Sequence, residues 1–318
     1  MAEQHCPDPL LARSVIVTGT HYSTTTLVGA LLDTASEFTL LHEPLNPRPT
    51  LSYDSLAPPR WYEYYPADRF YELQSGLASM LRRGPVLAQA VKRLGRVRSL
   101  RQTGQAVRYA QRRWPSVVSQ KPAILKDPFL AFSALTLQQE AGLKVVWCLR
   151  HPGAFAESFL RKAGSFDFAD LAAQPDLHSL LGGDADEVLR FASSKQSPVQ
   201  QAALLWRVIN GFGARYLLPD QRTMLVRQEQ FAIDRDTTIR RLLGFAGGTY
   251  GRRTERFAAR QFGSGGIDHQ GASYIQRDPV QAANKWRNRL SPEDIAVLQA
   301  ETAQLAAELG YDEATWRH

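Results

Sequence analysis

Short apolar, β-branched runs alternate with stretches of helical periodicity along this chain, and that rhythm restricts its fold more than any other feature. Ser14 to Thr18 reads as a strand, Thr25 to Asp33 as a helix, and Phe38 to Leu41 and Ala123 to Lys126 as two further strands. Phe129 to Ala141 reads as a helix, Lys144 to Leu149 as a strand, Pro152 to Lys162 and Pro198 to Leu217 as helices, Thr223 to Arg227 as a strand, and Asp236 to Phe245 as a helix. Such alternation is what a central parallel sheet flanked by helices produces, so the expected class is α/β. Ser291, Pro292, Glu293 and Asp294 then supply an N-cap, a first-turn proline and acids for a last helix, which Gly310 stops near Leu309. The stretch from Tyr53 to Arg113 breaks the rhythm, and Gly263 to Gly271 is a glycine-rich loop; both read as additions near the active face. We expect one domain over residues 1–318, with 53–113 as a helical and aromatic insertion and 291–318 as a C-terminal helix.

Charge narrows the partners. Ten basic residues and no acid lie between Arg82 and Arg113, more than the whole net charge of +7, so the rest of the chain is net acidic. A general nucleic-acid-binding surface is therefore not expected. Val86, Ala90, Val91, Leu94 and Val97 recur at helical spacing, which predicts an amphipathic helix with a basic face suited to an anionic membrane surface. The longest apolar runs, Val145 to Leu149 among them, fall far short of the ~20 residues of a membrane span. The first residues lack the basic and long apolar regions of a secretory signal, so a cytoplasmic location is expected, peripheral to the inner membrane face if the basic segment docks there. Cys6 and Cys148 cannot form a disulfide framework and lack metal-ligand spacing.

Two motifs carry chemistry. In the first, Val15, Ile16 and Val17 run into Gly19, Thr20, His21, Tyr22, Ser23, Thr24, Thr25 and Thr26, with a helix following at once. A strand that turns into a helix through glycine and hydroxyls aims backbone N–H groups and side-chain donors at one point, at the positive end of the helix dipole. That is an anion site. A nucleoside triphosphatase loop would add a second glycine and a lysine, and neither is present. In the second motif the strand ending at Leu149 gives Arg150, His151 and Pro152, and Ser158 follows eight residues after Arg150. Arg150 at the sheet edge and Ser158 on the adjoining helix can grip one phosphate, the arginine as a planar fork and the serine as a single donor.

Together these motifs resemble the sulfotransferases that use 3′-phosphoadenosine 5′-phosphosulfate (PAPS). In that family a hydroxyl-rich loop after the first strand binds the 5′-phosphosulfate, and an R-x-P pattern with a serine eight residues on binds the 3′-phosphate. The resemblance extends to His42, Glu43, Pro44, Leu45, Asn46 and Pro47, to Lys126, Asp127 and Pro128, and to Leu149 through Lys162 followed by Phe166, Asp167 and Phe168. Trp206 with Arg207, Glu229, and Lys285, Trp286 and Arg287 continue it, so that it spans roughly Ser14 to Leu290. The chain departs from the pattern at Tyr22, where the family usually has Arg or Lys, and at Thr24, where it has Gly. The first change removes a charge-assisted hydrogen bond, which His21, Lys126 or an arginine from elsewhere could replace, and the second adds a β-carbon to the loop.

The resemblance implies PAPS as co-substrate, the nucleotide PAP as product, no metal, and an acceptor hydroxyl on a small molecule, glycan or glycolipid. It implies nucleotide contacts from Gly19 to Thr26, from Arg150 and Ser158, and from Lys285, Trp286 and Arg287. Lys126 or His21 would reach the bridging oxygen, and Glu43 is the preferred general base, with His42 and Asp127 next. His151 reads as structural. Trp61, Tyr62 and Tyr65, from the aromatic run beginning at Tyr53, would line the acceptor pocket on the insertion's side. The alternatives are a nucleotide kinase of P-loop type and a catalytically weakened nucleotide- or membrane-binding relative.

Overall fold

A computed structural model describes residues 6–48, 55–82, 103–104, 121–262 and 283–316. Among the described residues five strands form one all-parallel sheet: β1 (Val15–Gly19), β2 (Thr39–His42), β3 (Ala123–Lys126), β4 (Lys144–Leu149) and β5 (Thr223–Arg227), in the order β2-β3-β1-β4-β5. Both faces are covered, which is why the central strands read as unbroken apolar runs. Alternate side chains go to opposite sides. Ile16, Leu125, Val145, Trp147 and Leu149 enter one core, while Val15, Val17, Ile124, Val146 and Cys148 enter the other.

The topology fixes where a ligand can sit. From β1 the chain crosses to the β2 edge, and from β4 it proceeds to the opposite edge at β5. The connections after β1 and β4 therefore leave in opposite directions, which opens a crevice at the carboxyl ends of these two neighbours, the usual ligand position in open α/β sheets. In-register pairing of Gly19 with Cys148 brings both motifs to that crevice. Gly19 has φ +135°, and a β-carbon there would stand 2.2 Å from the Cys148 carbonyl oxygen, so only glycine lets the two strands end side by side.

The helices Thr25–Leu32, Pro152–Lys162, Arg235–Ala246 and Pro292–Glu308 match their expected positions within a few residues. Others differ for local reasons. Asp127 accepts the Phe129 N–H, which sets a 3₁₀ turn at Pro128–Leu130 and delays the following helix to Ser133–Ala141. The helix from Pro198 ends at Phe212 and closes as a π turn over Gly213–Leu217, where Gly213 lies against the Trp147 ring. The last helix ends at Glu308, and Glu313–Trp316 is a separate 3₁₀ turn, so 291–318 is not one helix. Phe70–Arg82 is helical and buries Phe70, Leu73, Leu77 and Leu81 in the first core. Tyr53, the expected helix over Val86 to Val97, nearly all of the basic segment 82–113 and the loop 263–271 lie outside the described residues. No helix among the described residues is long and apolar enough to cross a membrane.

Candidate active site

The β4 side of the crevice is built around Arg150, which is buried. Its Nη1 donates to Ser158 Oγ at 2.8 Å and to the Tyr22 carbonyl at 3.2 Å, so the guanidinium spans from the second motif to the first. Trp206 donates its indole N–H to the Arg150 carbonyl at 2.9 Å. Ser158 in turn donates to Glu157 at 3.2 Å, and Glu157 accepts from Arg161 at 3.0 Å and Arg289 at 2.6 Å. Burial pushes the Glu157 carboxyl up, but these two arginines outweigh it and hold the group at about 2.

His151 caps the helix Pro152–Lys162 by accepting the Gly153 N–H on Nδ1 at 3.1 Å. Its ring stacks on Trp286 at 4.6 Å and meets Tyr311 and Trp316 edge-on. Burial, then Arg287 and Arg150, lower its pKa to about 3, so it is neutral. Trp286 is buried flat against Gly153, where a β-carbon would come within 2.5 Å of the indole. Arg287 is turned to Asn284 and the Thr315 carbonyl, and Lys285 is half-buried beside it. Tyr311 donates to Glu229 Oε2 at 2.7 Å, and the other Glu229 oxygen faces the His151 N–H.

Across the crevice the loop after β1 presents Thr20 and Ser23, both buried and hydrogen-bonded to each other, at the start of the helix Thr25–Leu32. Tyr22 (φ +66°) and Thr24 (φ +70°) both occupy the left-handed region. Thr24 Oγ1 donates to Gln228 Oε1 at 2.9 Å, which ties the loop to the residue after β5. Thr25 is buried and Thr26 half-buried in the helix's first turn.

Lys126, Glu43 and Asp127 meet where β2 and β3 end side by side. Lys126 is 2% exposed, its stem lying over Gly29 of the helix, and its Nζ donates to Glu43 Oε1 at 2.6 Å. Glu43 (φ +51°) also accepts from Asn46 at 2.8 Å and lies near His42. Burial raises its pKa, but Lys126, then His42 and Asn46, outweigh burial and hold the carboxyl below its ordinary range. Asp127 behaves oppositely. It is fully buried, one oxygen accepting the Leu45 N–H at 2.5 Å and the other the Phe129 N–H at 2.8 Å, and burial followed by the Glu43 charge raises its pKa to about 7. Its placement is that of a loop anchor.

His21 lies among Tyr22, Tyr62, Phe129, Phe155 and Phe159. The Tyr62 hydroxyl is 2.6 Å from His21 Nδ1, within hydrogen-bond distance, and accepts the His21 backbone N–H at 3.3 Å. Burial, then Lys162, lower the His21 pKa to about 3. Trp61 packs on Phe129 at 4.4 Å and, with Tyr62, forms the wall beside His21. Tyr65 is buried away from it, with Arg69 over its ring at 4.5 Å.

The structure thus brings Gly19–Thr26, Glu43, Lys126, Arg150 and Ser158 to one crevice, while Trp286 is buried against His151 and Tyr65 beneath Arg69. Sequence reasoning missed the hydroxyl of Tyr62 as the partner of His21, the indole of Trp206 as the brace of Arg150, and Lys162, whose Nζ lies 4.6 Å from the centre of the Tyr22 ring. Only Lys162 left a signal, its spacing of four from Ser158 on one helix. Among the described residues no three His, Cys, Asp or Glu side chains cluster for a metal. A cavity of about 350 Å³ lies at the opposite end of the strands, lined by residues such as Arg13, Glu37 and Lys144, and takes no part in this crevice.

No protein-family model and no curated protein matches the chain. Solved structures do. The chain is similar to the sulfotransferase domain of the Synechococcus PCC 7002 olefin synthase, at 19% identity over 98% of this chain and 97% of that one, with a TM-score of 0.49. It is similar to the sulfotransferase domain from the curacin biosynthetic pathway, at 16% identity over 94% of this chain and 98% of that one, with a TM-score of 0.46. It is also similar to the sulfotransferase STF9 from Mycobacterium avium, at 15% identity over 94% of this chain and 77% of that one, with a TM-score of 0.43.

Proposed function

We propose that this chain is a sulfotransferase that moves a sulfuryl group from PAPS to an acceptor hydroxyl on a small molecule, glycan or glycolipid. The observation that carries this reading is the pairing of two anion sites across one crevice: the Arg150–Ser158 grip on the β4 side and the Gly19–Thr26 loop on the β1 side, joined by the Arg150 contact to Tyr22. A nucleotide with a 3′-phosphate and a 5′-phosphosulfate has anions at two points, and the donor set fits it. Arg150 and Ser158 would hold the 3′-phosphate, and the loop N–H groups with Thr20, Ser23, Thr25 and Thr26 the 5′ end. The missing lysine and second glycine in the loop weigh against a nucleotide kinase.

The donor supplies a sulfuryl group on a good phosphate leaving group. The acceptor oxygen bonds to sulfur as the sulfur–phosphate oxygen bond breaks, the hydroxyl proton passes to a base, and PAP leaves. Glu43 is ionised at neutral pH and able to take that proton. Lys126, already donating to Glu43, can donate to the leaving oxygen as Glu43 is neutralised, and His21, held neutral beside the Tyr62 hydroxyl, carries one ring N–H that could serve the same end. His151 is caged and caps its helix.

Thermal denaturation with PAP or ADP, in the absence of divalent metal, tests the reading. PAP is expected to raise the Tm, with ADP, which lacks the 3′-phosphate, doing so much less. Equal shifts from the two would sink the assignment of Arg150, and a larger shift from ATP with magnesium would favour a kinase.

A further inference from the structure

The loop from Gly19 to Thr26 contains no lysine or arginine, yet the group assigned to it is strongly anionic. Of the cations around the crevice, Lys126 is engaged by Glu43 at 2.6 Å and Arg150 by Ser158 and the Tyr22 carbonyl. Lys162 has its Nζ 4.6 Å from the centre of the Tyr22 ring, within cation–π range and directly beside the loop. It lies one helical turn beyond Ser158, and residues four apart share a helix face, so the face that brings Ser158 to Arg150 brings Lys162 to the loop. The platform is rigid. Tyr22 is held at φ +66°, its carbonyl accepts from Arg150 and its ring meets His21 at 4.5 Å. The Lys162 charge is felt within the loop, where it helps keep His21 neutral.

We propose that Lys162, seated on the Tyr22 ring, supplies the positive charge that binds the sulfuryl end of the donor. The inference rests on the sulfotransferase reading above. A lysine carries its charge on a long flexible stem, and the aromatic seat restrains that stem before the ligand arrives, which reduces the ordering left for binding. Tyrosine at position 22 is then the support for a cation delivered from another element.

PAP and PAPS differ by the sulfuryl group alone, so their affinity ratio, measured by calorimetry on the full chain, isolates this contact. Lys162→Ala is expected to weaken PAPS about tenfold and PAP by less than about twofold, with the difference shrinking in about 0.5 M salt because the lysine is exposed. Tyr22→Phe keeps the ring and should keep the PAPS-over-PAP preference, whereas Tyr22→Leu should lose part of it. Tyr22→Lys in the Lys162→Ala background should restore it, a gain that misfolding cannot imitate. Equal losses for PAP and PAPS, or no loss for either, would overturn the role of Lys162 while leaving the sulfotransferase reading intact. If the unsubstituted chain binds neither nucleotide, that reading falls and this inference with it.

Discussion

On the β4 side of the crevice Arg150 is held by Trp206 at its carbonyl and by Ser158 and Tyr22 at its guanidinium, and none of the residues from Arg150 to Ser158 adopts a positive φ. On the other side Tyr22, Thr24, Glu43 and Tyr62 all do, four of the five non-glycine residues that do so among the described ones. Each such residue costs on the order of 1–3 kcal/mol and persists only where its surroundings dictate it. The carboxyls divide likewise. Glu157, beside Arg150, is held at about 2 by its arginines, whereas Glu43 is kept below its ordinary range, Lys126 outweighing burial, and burial followed by the Glu43 charge raises Asp127 to about 7. One half of the crevice is a preformed hydrogen-bonded frame; the other concentrates strain and opposed charge, the division that the proposed sulfuryl transfer would use.

The sharpest break in that contrast is Glu43→Gln. Turnover, followed by mass-detected sulfate transfer or PAPS hydrolysis, should fall ~10²-fold or more while PAP affinity stays near the parent value. Because the Glu43 pKa is lowered, Lys126 outweighing burial, the acid limb of the rate profile should lie below the ordinary carboxylate range. Its contribution to stability has the same sign: present above the ordinary pKa and lost as pH falls through the lowered one. Asp127 has the opposite sign, its contribution being present at low pH and lost as pH rises towards about 7. An acid limb that survives Glu43→Gln but moves down from about pH 7, as loss of the Glu43 charge lowers the Asp127 pKa, would make Asp127 the base.

Arg150→Ala tests the other half. PAP affinity should weaken by about 1.5–3 kcal/mol, the range for a hydrogen bond to a charged group, and ADP affinity much less. Turnover at saturating donor should change less than in Glu43→Gln, since a grip made equally in ground and transition states moves KM rather than kcat. A loss confined to kcat would erase the distinction between the two sides.

How far the sequence reveals each half follows from what each is made of. The sheet and most flanking helices were legible because buried parallel strands and amphipathic helices leave periodic apolar patterns, and Arg150 with Ser158 because their spacing is local. The Lys126–Glu43 pair joins residues 83 positions apart, and the Tyr62 hydroxyl meets His21 from 41 positions away. No local pattern encodes such pairings. Trp286 shows the same limit. The resemblance implied a nucleotide contact there, and what no local pattern revealed is that the absence of a side chain at Gly153 lets the indole pack against the backbone and stack on His151. The strain at Thr24 was legible only as a departure from a glycine, without its compensating bond to Gln228.

The smallest expected effect is the most informative about that strain. Thr24→Gly removes a β-carbon from a left-handed residue, a gain of about 1–2 kcal/mol. It also deletes the hydrogen bond to Gln228, about 0.5–1.5 kcal/mol, and gives the unfolded chain more freedom, about 0.4–1 kcal/mol. These terms nearly cancel, so urea denaturation should place Thr24→Gly within about 1 kcal/mol of the parent. Gln228→Ala removes the bond without relieving the backbone and should cost about 1 kcal/mol. In the double variant the bond is already absent, so the two changes should sum to more destabilisation than is measured, and the excess reads the Thr24–Gln228 coupling directly. Strict additivity would mean that the bond does not hold the loop, and Thr24 would then owe its conformation to the Arg150–Tyr22 contact on the preformed side.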